Sequence, residues 1–351
     1  MARKGNGSPT IRDVAHLAEV SIKTVSNVIN GHPPVRPATR ERVEDAIARL
    51  NYHVNVSARN LSRGRTGAIA LVLPSVRGVY FAELADAVTR EAAKAGLTVF
   101  IQLTDDQRDR ERRVLDGSYR SVVDGAIFSP LALTQDDVAL FDTDFPLVLL
   151  GERIFDAGVD HVTMPNVESV RAATEHVIAL GATTVVPLGA KEDPSSSSGT
   201  LRMEGFRQAL EAHGLSLDPR AVIDVRDYYH STGAAVMAEI LDRGVTPDAV
   251  VAFSDTLALG ALATLADRGL RVPEDVRLVG FDNIEETRYS RPPLSTIDPG
   301  REKIAARAVQ MLEERIQWRL DGLTREQQPE PRKVVVDFEL IARASTRASG
   351  S

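Results

Sequence analysis

The chain has 351 residues, 43% hydrophobic and 26% charged, with no cysteine and a formal net charge of −7. That length suits two or three soluble domains, and the lack of cysteine excludes disulfides, thiolate catalysis and Cys-type zinc sites. No run approaches the ~18 apolar residues that span a bilayer, and the opening MARKGNGSPT has no apolar h-region. A cytoplasmic setting without a membrane partner is expected.

Charge is unevenly spread. Residues 1–65 carry 11 Lys+Arg against 5 Asp+Glu, a net of +6, which leaves 31 against 44, or −13, for the remainder. A basic head on an acidic body neutralises phosphates at one end and discourages nucleic acid elsewhere. Within the head, residues 10–30 (TIRDVAHLAEVSIKTVSNVIN) read as two short helices. Thr10 can cap the first, with Asp13 completing a capping-box-like pair, and Ser21 can cap the second. Ile11, Val14, Ala15 and Ala18 form one apolar stripe; Val20, Val25, Val28 and Ile29 form its partner surface. Only Glu19, Val20 and Ser21 remain for the turn, as a helix-turn-helix requires. In that motif the second helix enters the major groove, with Ile22, Lys23, Ser26 and Asn27 outward.

This segment resembles the DNA-binding headpiece of the lactose repressor/galactose repressor family of bacterial transcription regulators. The family pattern T-I-x-D-V-A-x-x-A-G-V-S-x-x-T-V-S-x-V-L-N is met by Thr10, Ile11, Asp13, Val14, Ala15, Ala18, Val20, Ser21, Thr24, Val25, Ser26, Val28 and Asn30. Glu19 replaces the usual turn glycine and Ile29 the usual leucine. The resemblance continues through a third helix, about Pro37 to Leu50, and covers most of the chain. It implies DNA contacts from Thr10, Ser21, Ile22, Lys23, Thr24, Ser26, Asn27 and Asn30.

Residues 55–64 (NVSARNLSRG) resemble the family's hinge helix. About nine residues make a helix that is marginal alone, because nucleation is costly. In the family it is supported by its symmetry mate and the minor groove, where the residue matching Leu61 wedges into a base step. Asn55 and Ala58 are implied contacts beside it. Val54 stands where the family has proline, which leaves the helix start less fixed.

From residue 66 short apolar runs alternate with amphipathic stretches. The runs start at Ala68, Leu97, Gly125, Pro146, Thr183, Ala221, Ala249 and Val276, and look like strands buried on both faces. Helical patterns lie at Phe81–Ala95, Val167–Leu180, Arg202–His213, Thr232–Arg243 and Leu257–Arg268. An α/β body of two doubly wound parallel-sheet subdomains is expected. The resemblance makes it periplasmic-binding-protein-like and returns the helix near Arg301 to the first half and VVVDFEL to the second. The expected partition is a headpiece at 1–54, a hinge at 55–65 and an effector-binding and dimerisation domain at 66–343. That domain divides into 66–165 plus 299–328 and 166–298 plus 329–343, and 344–351 form a polar, disordered tail, like residues 1–9.

Ligands of open α/β sheets bind beyond the carboxyl ends of strands. Asp282 closes one apolar run, and the resemblance makes it an acceptor for effector hydroxyls. Arg202 matches an effector-gripping arginine in R-x-x-G-F. Ser254 either caps the next helix or faces the ligand. Tyr228 and Phe81 either stack on a ligand or pack without one. Ser129 ends another strand, as do Ser75 and Glu152, and the run Ser195–Ser198 is either flexible or presents a hydroxyl at the cleft. No nucleotide-binding, nucleophile-elbow or zinc-protease motif is present, the histidines are scattered, and no cofactor or metal is expected. A periplasmic sugar-binding protein would share the body but leave residues 10–64 unexplained; a regulator answering to a partner protein is the other alternative. The expectation is a homodimeric repressor of a double-stranded DNA operator, released by a small-molecule effector, a carbohydrate by resemblance. Nothing after Ile341 suggests a tetramerisation helix.

Overall fold

Three helices build the first of two units, residues 1–66 and 67–351, in the computed structural model, which describes residues 9–29, 35–52, 65–191 and 198–347. Helix α1 (Ile11–Leu17) opens on a complete capping box: Asp13 N–H donates to Thr10 Oγ1 (3.4 Å), while Thr10 N–H and Oγ1 each donate to Asp13 Oδ2 (2.7 Å). Helix α2 (Ile22–Ile29) opens on Ser21, whose Oγ accepts from Thr24 N–H (3.1 Å). Helix α3 (Pro37–Leu50) starts with proline and stops at Asn51, in a left-handed conformation. The stripes meet as expected, with Val14, Ala15, Ala18, Val25, Val28, Val43 and Ala46 buried around Tyr52. Glu19, in the turn, has φ 52°, the region that favours glycine.

The second unit holds two sheets. Strands β1 (Ala68–Leu73), β2 (Thr98–Leu103), β3 (Gly125–Phe128), β4 (Leu147–Leu150), β5 (Asp160–Thr163) and β10 (Lys333–Val335) form a parallel sheet ordered β10-β5-β4-β3-β1-β2. Helices α4 (Val79–Lys94) and α5 (Arg108–Leu115) belong to it, as does α10 (Arg301–Leu320), whose Ile304, Ala308 and Leu312 share its core. Strands β6 (Val185–Leu188), β7 (Ala249–Ala252), β8 (Arg277–Phe281), β9 (Ser295–Asp298) and β11 (Glu339–Ile341) form the second sheet, ordered β11-β9-β8-β7-β6, with only β11 antiparallel. Helices α6 (Asn166–Ala179), α7 (Ser198–Ala212), α8 (His230–Asp242) and α9 (Asp255–Asp267) cover it. Gly260 lets α9 approach α8, since a Cβ there would lie 2.0 Å from His230 O.

Four expectations are corrected. The chain returns to the second lobe at 336–338, not near 328, because β10 pairs in parallel with β5 (Lys333 opposite His161) and Val336 sits in the first lobe's core. Burial on both faces fails at β2, an edge strand with Phe100 55% and Ile101 49% exposed. The run at Ala221 is no strand: Pro219 starts a 3₁₀ turn, and Val225 N–H reaches Ala190 O beyond the end of β6. Residues 344–347 are packed rather than loose, with Ser345 and Thr346 buried; Ser345 Oγ donates to Leu278 O (2.6 Å) and accepts from Ser295 N–H (2.7 Å).

One ion cluster joins the first lobe's late and early segments. Asp160, at the start of β5, is buried and accepts two bonds from Arg315 of α10 (3.0 and 2.9 Å) and two from Arg332, one from its guanidinium (3.0 Å) and one from its backbone N–H (2.8 Å). Burial alone would raise its pKa, but these guanidiniums hold it below the ordinary value. No described helix is long and apolar enough to cross a membrane.

Glu19→Gly is expected to slow hydrogen exchange of the α1 and α2 amides by relieving about 1 kcal/mol of left-handed strain. Unchanged or faster exchange in the full chain would show the strain is not there.

Candidate functional site

In the headpiece, Ile22 and Lys23 are exposed, with Ile22 at 46%, while Thr24, Ser26 and Asn27 are half-buried on the same helix. Thr10 and Ser21 spend their hydroxyls on caps, which fixes where α1 and α2 begin. An exposed isoleucine beside an uncommitted lysine suits a base-reading face, the one for thymine methyls and the other for guanine edges. Asn30, Asn55, Ala58 and Leu61 lie outside the described residues, as do Val54 and Ser195 to Ser197.

In the second unit the carboxyl ends of β1, β3, β4, β5, β6, β7 and β8 converge on a cleft of about 420 Å³ between the two lobes. All six residues expected there line it: Phe81 and Ser129 from the first lobe, Arg202, Tyr228, Ser254 and Asp282 from the second. Ser75 and Glu152 line it too. Ser254 caps α9, its Oγ accepting from Leu257 N–H (3.2 Å), and the residue also lines the cleft. Tyr228 donates its hydroxyl to Gly189 O (2.7 Å), which leaves the ring as its contribution. Phe81 packs edge-on against Tyr80, with centroids 5.4 Å apart.

Arg202 is 5% exposed and lies 3.7 Å over the Phe281 ring. Its Nε donates to Asn166 Oδ1 (2.8 Å) and Nη1 to Phe253 O; Nη2 reaches only the weak acceptor Met164 Sδ (3.6 Å). The guanidinium is thus aimed by three partners with part of its donor fork left over.

Asp282 is the complementary group. It is 8% exposed and its backbone sits at φ 114°, costly for any residue but glycine. Among the described residues no donor bonds its carboxylate. Burial pushes its pKa up to about 7, against the pull of Arg202 and Arg301 and with the help of Glu83 and Asp298. Its place is set from below by Asp255, a fully buried carboxylate that accepts from Ile284 N–H (3.0 Å) and Thr296 Oγ1 (2.7 Å). Burial, then the charge of Asp282, push Asp255 well above the ordinary carboxylate range. Gly280 leaves room for it, since a Cβ there would come 2.0 Å from Asp255 Oδ1.

The two lobes present a guanidinium, a carboxylate, hydroxyls and aromatic faces to one cleft. Residues 10–55 match the family of bacterial regulatory proteins named for lacI, and residues 174–346 match the periplasmic binding protein-like domain. The transcriptional repressor PurR of Actinobacillus pleuropneumoniae is 32% identical over 339 residues, 96% of this chain and 98% of that one. The chain belongs to the lacI family of bacterial regulatory proteins. Among solved structures, the lac repressor dimer bound to operator and the anti-inducer ONPF is 26% identical with a TM-score of 0.81, covering 97% of this chain and all of that one. The transcriptional regulator CelR in complex with cellobiose is 30% identical with a TM-score of 0.69, covering 96% and 99%.

This lacI-family chain therefore combines a DNA-binding helix-turn-helix with a two-lobed body. Several residues that support the cleft wall escaped sequence reasoning. Asn166 and Asp255 act by aiming Arg202 and the Asp282 loop; their only trace was position, beside a helix start and after Ser254. Glu111 is wholly buried in the arginine-rich α5, and its carboxylate accepts from the N–H groups of Leu131, Ala132 and Leu133 (2.7–3.1 Å), fixing a cleft wall. Nothing in RDRERRVL signals a buried acid.

Asp282 titrates near 7 when folded and near 3.8 when unfolded, so the folded state holds the extra proton between those values. Wild-type stability falls as pH rises through that window. Asp282→Asn should melt higher than wild type at pH 8 without ligand, by an amount on the order of a few kcal/mol at most, with the gap closing below pH 4. A gap independent of pH in calorimetric melts would contradict this.

Proposed function

We propose that this lacI-family protein is a homodimeric, cytoplasmic repressor that leaves a near-palindromic operator when a carbohydrate enters the cleft. The observation behind the effector half is the Asp282 carboxylate, buried, strained and without a donor among the described residues, within the electrostatic reach of the partly spent fork of Arg202. A buried acceptor without a donor costs free energy that a ligand hydroxyl recovers. Vicinal hydroxyls supply donors to Asp282 and acceptors to Arg202, while Phe81 and Tyr228 offer faces for the ring's C–H side. The cellobiose in the CelR complex is a ligand of this type.

The DNA half rests on the capped α1–α2 pair and the exposed Ile22 and Lys23. Two copies would place their α2 helices in successive major grooves, with Asn27 and Asn30 alongside and Leu61, flanked by Asn55 and Ala58, wedged in the minor groove. The exposed Phe100 and Ile101 of β2 offer an apolar surface for the second copy. Effector binding would reorient the lobes and so the hinges, and the coupling is reciprocal: operator weakens effector by the factor with which effector weakens operator.

Selection of bound duplexes from a random pool tests the DNA half. Wild type should enrich one near-palindrome, Lys23→Ala should alter the preferred bases within it, and Leu61→Ala should cut its affinity with the fold intact. Enrichment of no sequence would overturn the operator reading; a uniform loss in Lys23→Ala would move that lysine to the phosphate backbone.

A further inference from the structure

The cleft's ionisable residues are sorted by depth. The buried ones, Arg202 against Glu152 and Asp282, carry at most one net negative charge, since Asp282 titrates near 7. Towards solvent, among the described residues, lie Arg153, Lys191 and Arg226 against Asp106 and Asp227, which sum to one positive charge. Of the outer anions, Asp227 accepts from Thr232 Oγ1 beside the start of α8, and Asp106 lies within the electrostatic reach of Lys191 and Arg153. Of the outer cations, Lys191 and Arg226 are the less committed. Lys191 Nζ makes one long bond to Arg226 O (3.5 Å) and lies 5.7 Å from the Tyr228 ring centroid; among the described residues nothing pairs with the Arg226 guanidinium. Arg77, in the loop before α4, adds a further positive charge close by, 4.9 Å over the Tyr229 ring.

Resting on the effector reading above, we infer that the ligand is a sugar bearing an anionic substituent, phosphate or carboxylate, with its hydroxylated ring on Asp282 and Arg202 and its charge on Lys191 and Arg226. A neutral sugar would satisfy the floor and leave the outer cations idle. A bare anion would meet the outer cations and leave the Asp282 carboxylate without a donor. A ligand with both ends matches the gradient, and the cationic mouth raises its local concentration. Charge-assisted bonds at the mouth are screened by salt, whereas the ring's contacts on the buried floor are less so.

The test uses the full chain and a panel in which glucose, fructose, galactose, ribose and trehalose are each paired with their phosphates, with glucuronate and galacturonate as carboxylates and inorganic phosphate as the anion alone. Thermal shift finds the binders and calorimetry measures them. At least one sugar phosphate or uronate should bind about tenfold tighter than its neutral parent, a ratio that shrinks with added salt and disappears in Lys191→Gln/Arg226→Gln. Both substitutions are at the mouth, outside the core, and an unchanged ligand-free melting temperature verifies the fold. Neutral sugars binding as tightly as their anionic partners would overturn the inference and leave the carbohydrate cleft standing. Inorganic phosphate matching the best sugar phosphate, or the anionic preference surviving the double variant, would also overturn it. If no sugar binds in any form, the effector reading fails with it.

Discussion

Asp255 is the constraint on which the cleft is built. A carboxylate wholly removed from water is tolerated only with donors, and its two, Ile284 N–H and Thr296 Oγ1, belong to the loop after β8 and to the neighbouring strand β9. Satisfying Asp255 therefore pins residues 282–284 to the sheet. That pinning holds Asp282 at φ 114° and Asn283 at φ 51°, conformations that neither would keep unaided. The loop is gripped from above as well: Arg301 Nη1 donates to Asp282 O (3.1 Å), and Glu83, from the other lobe, accepts from Glu285 N–H (3.0 Å). A carboxylate without a donor is thus kept in place by the satisfied groups around it.

The two lobes share this arrangement because the chain crosses between them three times, at 164–165, 299–300 and 336–338. Asp282, Arg301, Glu83 and Asp298 all lie by the second crossing, where Asp298 accepts from Asn283 Nδ2 (2.9 Å) and from Gly300 N–H (2.8 Å). Helix α4 brings Tyr80 and Phe81 to the cleft and Glu83 to the loop. Cleft and crossing therefore share one element, which is what a lobe rearrangement needs if it is to register occupancy.

Much of this was legible in the sequence, for physical reasons that differ by element. The headpiece was legible because caps, stripes and turn are local: Thr10 with Asp13 and Ser21 with Thr24 act within four residues. The cleft residues were legible because strand ends are chemically marked, an apolar run stopping at Ser129, Ser254 or Asp282. What failed was non-local. β5 and β9 are four residues long and hold Asp160, His161, Ser295 and Thr296, polar groups made tolerable by partners far away in sequence. Phe100 and Ile101 read as buried because apolar composition cannot tell a central strand from an edge. Ser345 reads as tail because its polarity is satisfied by strands some fifty and sixty-seven residues earlier.

The same late segment bears on how the chain is made. Residues 333–346 complete both sheets at once: β10 closes the edge beside β5, β11 pairs with β9, and Ser345 bridges Leu278 and Ser295. During synthesis the headpiece, whose core draws only on residues before 53, can fold as soon as it emerges. Neither lobe of the body has its full set of strands until β10 and β11 have been made. The growing polypeptide thus presents a basic, folded head ahead of an unfinished body, and the last few strands to appear decide when both lobes become native.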